Sequence, residues 1–145
     1  MKTRLIVAVA MFIALVAVGV IGCSSKGHAA TKSIDVSMDD VLNQRSISRD
    51  VTLSVGDTLK ISLGSNHSTP YRWTADPKIG DPAILKQYSH EYQHEHTDRM
   101  GAPGNEVWTF NVVKTGTTTI SADYASIVGS DPTPTCTFTA NVTVK

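Results

Sequence analysis

The sequence predicts an all-β domain, an antiparallel sandwich or barrel, and three observations carry that expectation. Short segments rich in Val, Thr and Ile alternate apolar with polar residues, as at Leu59, Ile61 and Leu63 against Lys60 and Ser62. Turn chemistry bounds these segments, as at Val55-Gly56-Asp57, Lys114-Thr115-Gly116 and Gly129-Ser130-Asp131-Pro132. No sustained 3.6-residue period competes with them. The chain of 145 residues, 41% hydrophobic and 18% charged, suits one such domain plus an additional segment.

That additional segment is the N-terminus. Lys2 and Arg4 precede an uninterrupted apolar and small-residue run from Leu5 to Ile21, the pattern of an export signal. The run is about long enough to span a bilayer, so the bare residues also allow a retained membrane helix. It ends, however, in Val20-Ile21-Gly22-Cys23, which resembles a bacterial lipobox. The resemblance implies removal of residues 1–22 as a lipoprotein signal peptide and lipidation, including palmitate, at Cys23. The expected location is the bacterial cell envelope, on the extracytoplasmic side of a membrane. Acyl chains contribute ~0.8 kcal/mol per buried CH₂, so two or three of them hold a protein firmly on a bilayer. Loss of Lys2 and Arg4 from the 13 basic groups leaves 11 against 13 acidic ones. So balanced a charge gives no field for drawing in nucleic acid.

Residues 23–33 read as the lipidated Cys and a flexible tether, small, polar and without period. Residues 34–145 then form the domain, with strands expected at 33–36, 51–55, 58–63, 71–75, 106–113, 117–124 and 135–144. A weak helical turn is expected at Asp39 to Leu42. Alternation points Val51, Leu53, Val55, Leu59, Ile61, Leu63, Trp108, Phe110, Val112, Ile120, Ala122, Tyr124, Phe138, Ala140, Val142 and Val144 inward. Cys136 shares a face with Phe138, Ala140 and Val142, so a buried inert thiol is expected. With Cys23 lipidated it has no disulfide partner.

Between two alternations lies the polar stretch Gly64-Ser65-Asn66-His67-Ser68-Thr69-Pro70-Tyr71-Arg72-Trp73. Asn66, Ser68 and Thr69 can satisfy neighbouring backbone groups, and Pro70 biases Thr69 toward an extended conformation, so the loop is expected to be stiff. A stiff polar loop on strands suits recognition. Gly101 and Gly104, in Met100-Gly101-Ala102-Pro103-Gly104-Asn105, permit either close approach to a partner backbone or an ordinary turn. No Gly-x-Ser-x-Gly elbow, His-Glu-x-x-His or phosphate-cradling loop supports an enzyme. His90, His94 and His96, with Glu91 and Glu95, carry metal-ligand chemistry. They are read as a solvated loop rather than a metal site, and no cofactor is implied.

Asn66-His67-Ser68-Thr69-Pro70-Tyr71-Arg72-Trp73 resembles the Asn-Pro-Thr-Thr-Gly-(Tyr/Phe)-x-Trp loop of the chagasin family of cysteine-peptidase inhibitors. It matches at Asn66, Thr69, Tyr71 and Trp73, with His67 and Pro70 in place of the family's Pro and Gly. Residues 100–110 resemble the family's Gly-rich loop and following strand, with Pro103 where Gly is usual. The family's Arg-Pro-(Trp/Phe) signature is absent from Tyr124-Ala125-Ser126-Ile127-Val128-Gly129. The resemblance implies an immunoglobulin-like β-sandwich and a reversible inhibitor of papain-like cysteine peptidases, and a monomer is expected. It implies protease contacts at Asn66, His67, Ser68, Thr69, Pro70, Tyr71, Gly101, Ala102, Pro103 and Gly104, with Thr69 as a small polar tip. The third loop, Ala125 to Asp131, would assist. The competing expectation is an envelope lipoprotein of the same fold that binds another protein or a metal and inhibits nothing.

Overall fold

A computed structural model of the chain describes residues 27–145. The apolar run, Cys23 and the start of the tether lie outside the described residues. Two sheets pack face to face. One has the order β1 (Thr31–Val36), β3 (Thr58–Ser65), β7 (Gly104–Val112), β6 (Leu85–Gln93). The other has the order β2 (Ser46–Leu53), β9 (Cys136–Val144), β8 (Gly116–Ser126), β4 (Tyr71–Trp73), with the short β5 (Lys78–Ile79) also on β8. This is the expected all-β sandwich of immunoglobulin-like architecture. Most pairs are antiparallel, but β1 runs parallel to β3 and β2 parallel to β9. The first strand begins at Thr31, three residues before the boundary read at position 34.

The inner faces follow the pleat. Leu59, Ile61 and Leu63 on β3 meet Trp108, Phe110 and Val112 on β7, and across the sandwich lie Ile120, Ala122, Tyr124, Phe138, Ala140, Val142 and Val144, all buried. Each large side chain such as Phe110 or Phe138 contributes ~1.5–3 kcal/mol on burial. Ile34, Val36, Ile47, Trp73 and Leu85 complete the core. Two inward expectations are corrected. Val55 is exposed, because β2 ends at Leu53 and the chain then turns, and Val51 is only half-buried. Cys136 is a free, fully buried thiol whose pKa is raised by desolvation, as its strand register requires.

The helical turn exists as α1 (Met38–Asn43). Ser37 caps it, its Oγ accepting from the Asp40 N–H at 3.1 Å, and Asp39 and Asp40 stand where the helix dipole favours acids. α1 lies so close to β3 that a methyl group at Gly64 would overlap the Met38 backbone. At the opposite end of the sandwich, Gly56 turns with φ +94°, and Asp57 is buried. The Ala30 N–H (2.9 Å) and then the Ser54 N–H (2.8 Å) donate to the Asp57 carboxylate, holding its pKa below the ordinary value. A depressed folded-state pKa stabilises above the unfolded carboxyl's value of about 4 and is lost as pH falls through the lower folded value. Asp57→Asn is therefore expected to lower Tm at pH 7, with the gap to wild type narrowing as pH falls below about 4 in thermal melts read by circular dichroism.

Candidate functional site

Strand register fixes which connections share an end. Ser65 at the end of β3 pairs with Gly104 at the start of β7, and Gln93 at the end of β6 pairs with Asn105. On the other sheet Tyr71 at the start of β4 pairs with Ser126 at the end of β8. The connections 66–70, 94–103 and 127–135 therefore lie side by side, and α1 stands beside them because Val36 pairs with Leu63. We refer to the three connections as the first, second and third loops.

The first loop is held by its own polar groups, as the sequence predicts. Asn66 Oδ1 accepts from the Ser68 N–H (3.0 Å) and the Ser68 hydroxyl (2.6 Å), while Asn66 O accepts from the Thr69 N–H (3.1 Å) and the Thr69 hydroxyl (2.7 Å). The Thr69 hydroxyl thus turns back into the loop, and the exposed apex consists of Ser68 and Pro70. Arg72 braces the loop from behind. Its Nη1 donates to Thr69 O (2.6 Å) and Tyr71 O (2.7 Å), and its Nη2 donates to His67 O (3.0 Å). A planar guanidinium can satisfy several carbonyls at once in this way. Trp73 is buried as expected, with Nε1 donating to Gly64 O at 2.9 Å.

The loops are also tied to one another. Asn66 Nδ2 donates to Gly101 O (3.2 Å), joining the first to the second, and the Ile127 N–H donates to Pro70 O (2.8 Å), joining the first to the third. Gly101 takes a positive φ of +79° in a turn and is exposed, with Ala102 and Pro103 half-buried. Gly104 is different. It is buried at the start of β7, where a methyl group would overlap Gln93 O and the Tyr92 ring, so its place is in packing rather than at the surface.

Four large hydrophobic side chains stand exposed at this end: Leu42 on α1, Met100 in the second loop, and Ile127 and Val128 in the third. Leu42 lines a groove with Met38, Thr69, Tyr71, Pro103 and Tyr124. Clustered exposed apolar surface marks an interaction site. The third loop thus presents Ile127 and Val128 where an Arg-Pro-aromatic signature is missing.

The histidine-rich stretch differs from the expected loop. His90 lies in β6, its ring stacked on Trp108 with centroids 4.9 Å apart. His94 meets Tyr92 edge-on and His96 is exposed. Among the described residues no group of three or more His, Cys, Asp or Glu is placed to hold a metal ion. Sequence reasoning passed over Arg72 and Glu106. The buried Glu106 carboxylate receives His67 Nε2 on one oxygen and His90 Nε2 on the other. Its signal was present, since Glu106 shares strand parity with the inward Trp108, Phe110 and Val112.

Comparison with known proteins agrees with this architecture. A cysteine protease inhibitor from Entamoeba histolytica, EhICP2, superposes with a TM-score of 0.64 at 21% identity, covering 81% of this chain and 98% of that one. PbICP-C, whose structure was solved in complex with falcipain-2, gives 0.53 at 24% identity, covering 79% and 99%. The solution structure of amebosin gives 0.52 at 21% identity, covering 82% and 100%. At these identities the likeness is one of fold. No curated protein matches the sequence significantly. The sequence profile described as Chagasin family peptidase inhibitor I42 matches residues 52–142, from the end of β2 into β9 and across all three loops, and the chain therefore belongs to the chagasin family of peptidase inhibitors and is not an enzyme.

Proposed function

We propose that this protein inhibits papain-like cysteine peptidases by reversible occlusion, with the first loop entering the substrate cleft and the other two gripping its walls. The observation that carries this reading is the mutual bracing of the three loops through Asn66–Gly101 and Ile127–Pro70, beneath an exposed apolar fringe of Leu42, Met100, Ile127 and Val128. Bracing before binding reduces the entropy lost on complex formation. The side chains of Asn66, Ser68 and Thr69 are hydrogen-bonded inside the loop and none is a reactive electrophile, so the peptidase's nucleophile gains no covalent partner. The contact residues on this reading are Asn66, His67, Ser68, Thr69, Pro70, Tyr71, Gly101, Ala102 and Pro103. Gly104 shapes the root of the second loop. A competition experiment tests occlusion. Papain preloaded with a peptidyl active-site inhibitor should no longer bind the protein, whereas papain alkylated at its catalytic sulfur by a small group should still bind. Equal binding to both would place the contact outside the cleft.

The same reading includes a lipid anchor at Cys23, a monomeric state, and a position outside the cytoplasmic membrane. The lipobox-like Val20-Ile21-Gly22-Cys23 supports the anchor and the position. Metabolic labelling of cells with an alkyne analogue of palmitate is expected to tag the wild-type chain and to leave Cys23→Ser unlabelled. Equal labelling of both would remove the anchor.

A further inference from the structure

We propose that Glu106 is a positioning residue for the first loop, acting through His67. The proposal rests on the inhibitory reading of this end of the sandwich and adds a determinant of how tightly the loop is pre-ordered. Glu106 occupies an inward position on β7, in register with the core residues Trp108, Phe110 and Val112, and its side chain is 5% exposed. A carboxylate removed from water is costly unless both oxygens find donors. One oxygen, Oε1, lies 2.5 Å from His67 Nε2 and the other, Oε2, lies 2.6 Å from His90 Nε2. His90 is fixed in β6 by its stack on Trp108. His67 is the donor that the loop contributes.

Three further contacts convert that donor into an anchor. The His67 ring stacks on Tyr92 with centroids 3.6 Å apart and planes 9° from parallel. Tyr92 is itself placed by β6 pairing opposite Glu106, and its hydroxyl reaches Ser65 O at 3.4 Å. The His67 carbonyl is held by Arg72. Side chain and backbone of one loop residue are thus gripped by three strands. His67 stands where the family's motif carries a proline, so ring-imposed stiffness at that position is here replaced by a side-chain tether to a buried charge.

The test uses the full chain and two variants of Glu106. Glu106→Leu preserves the bulk and suits the inward face but leaves the ring nitrogens of His67 and His90 without their acceptor, so a lower Tm is expected beside the effect on the loop. Glu106→Gln keeps the shape and removes the charge, and it carries the experiment if the leucine variant does not fold. The first readout is amide hydrogen exchange of Ser68 and Thr69, whose N–H groups are bonded within the loop. Exchange is expected to quicken about tenfold in the variants while core amides stay protected. The second is the inhibition constant for papain, expected to rise about tenfold in Glu106→Leu and to rise no further when Glu106→Leu is added to His67→Phe, which retains the stack and lacks the donor. Unchanged Ser68 and Thr69 exchange would overturn the proposal whether or not the protein inhibits any peptidase. An undiminished effect of Glu106→Leu in the His67→Phe background would overturn it as well. If wild type inhibits nothing while exchange still quickens, the anchor stands and the inhibitory reading falls.

Discussion

Replacing Ser68 by arginine is expected to weaken inhibition of a papain-like peptidase by roughly 30- to 1,000-fold, the equivalent of about 2–4 kcal/mol at an interface hot spot. Ser68 stands exposed at the apex between the braced Asn66 and the exposed Pro70, so a long charged side chain there collides with the floor of a narrow cleft. Stability should change much less. The N–H of residue 68 still reaches Asn66 Oδ1 in the variant, and the bond lost is the exposed one from the Ser68 hydroxyl, worth about 1 kcal/mol. Ser68 tests the apex more cleanly than Thr69, whose hydroxyl closes the loop on Asn66 O. Inhibition constants measured beside thermal melts separate the two effects. An unchanged inhibition constant would exclude the apex from the contact.

Trp108→Ala should produce the largest loss of stability, about 3–5 kcal/mol for emptying so large a core site. Trp108 is 1% exposed, pairs with Ile61 on one side and His90 on the other, and donates from Nε1 to Ala75 O at 3.0 Å. Truncation leaves a cavity, an unpaired carbonyl and an unsupported His90 ring. Tm should fall by about 10 °C or more in calorimetry. A fall of only about 2 °C would mean that the sandwich closes over the vacancy, and that packing of the two sheets is looser than the burial of Trp108, Phe110 and Phe138 indicates.

Much of this architecture was legible because the strands that form the core have one dry face. β3, β7, β8 and β9 each alternate buried with less buried positions, and the period of two exposed them directly. β6 was missed for the converse reason. It is an edge strand with Tyr88 exposed, His90 and Glu91 along it and a register irregularity between Gln87 and Ser89, so no apolar rhythm marks it. The first half of β2, from Ser46 to Asp50, is nearly as polar, and only Ile47 of that half is buried. Val55 misled because the alternation of β2 continues in sequence for one step after the strand has turned toward Gly56.

At the candidate site the sequence exposed the loop and left its supports hidden. Asn66, Ser68 and Thr69 form the local hydrogen bonds that their residue types favour. The bracing by Arg72 and the tether to Glu106 depend on how β4, β6 and β7 converge, and such distant contacts leave little local trace. Even so, an acid in inward register on a strand of Trp and Phe is a visible anomaly. Buried polar groups require partners, so Glu106 by itself called for donors at that end of the sandwich.

The central claim, that the three braced loops close the cleft of a papain-like peptidase, is tested most directly by titrating papain and a cathepsin-L-like enzyme with residues 24–145 and following residual activity. The account predicts tight inhibition that is regained in full on dilution, with the inhibitor chain recovered intact. Full residual activity at micromolar inhibitor, with the β-sandwich confirmed by circular dichroism, would contradict it.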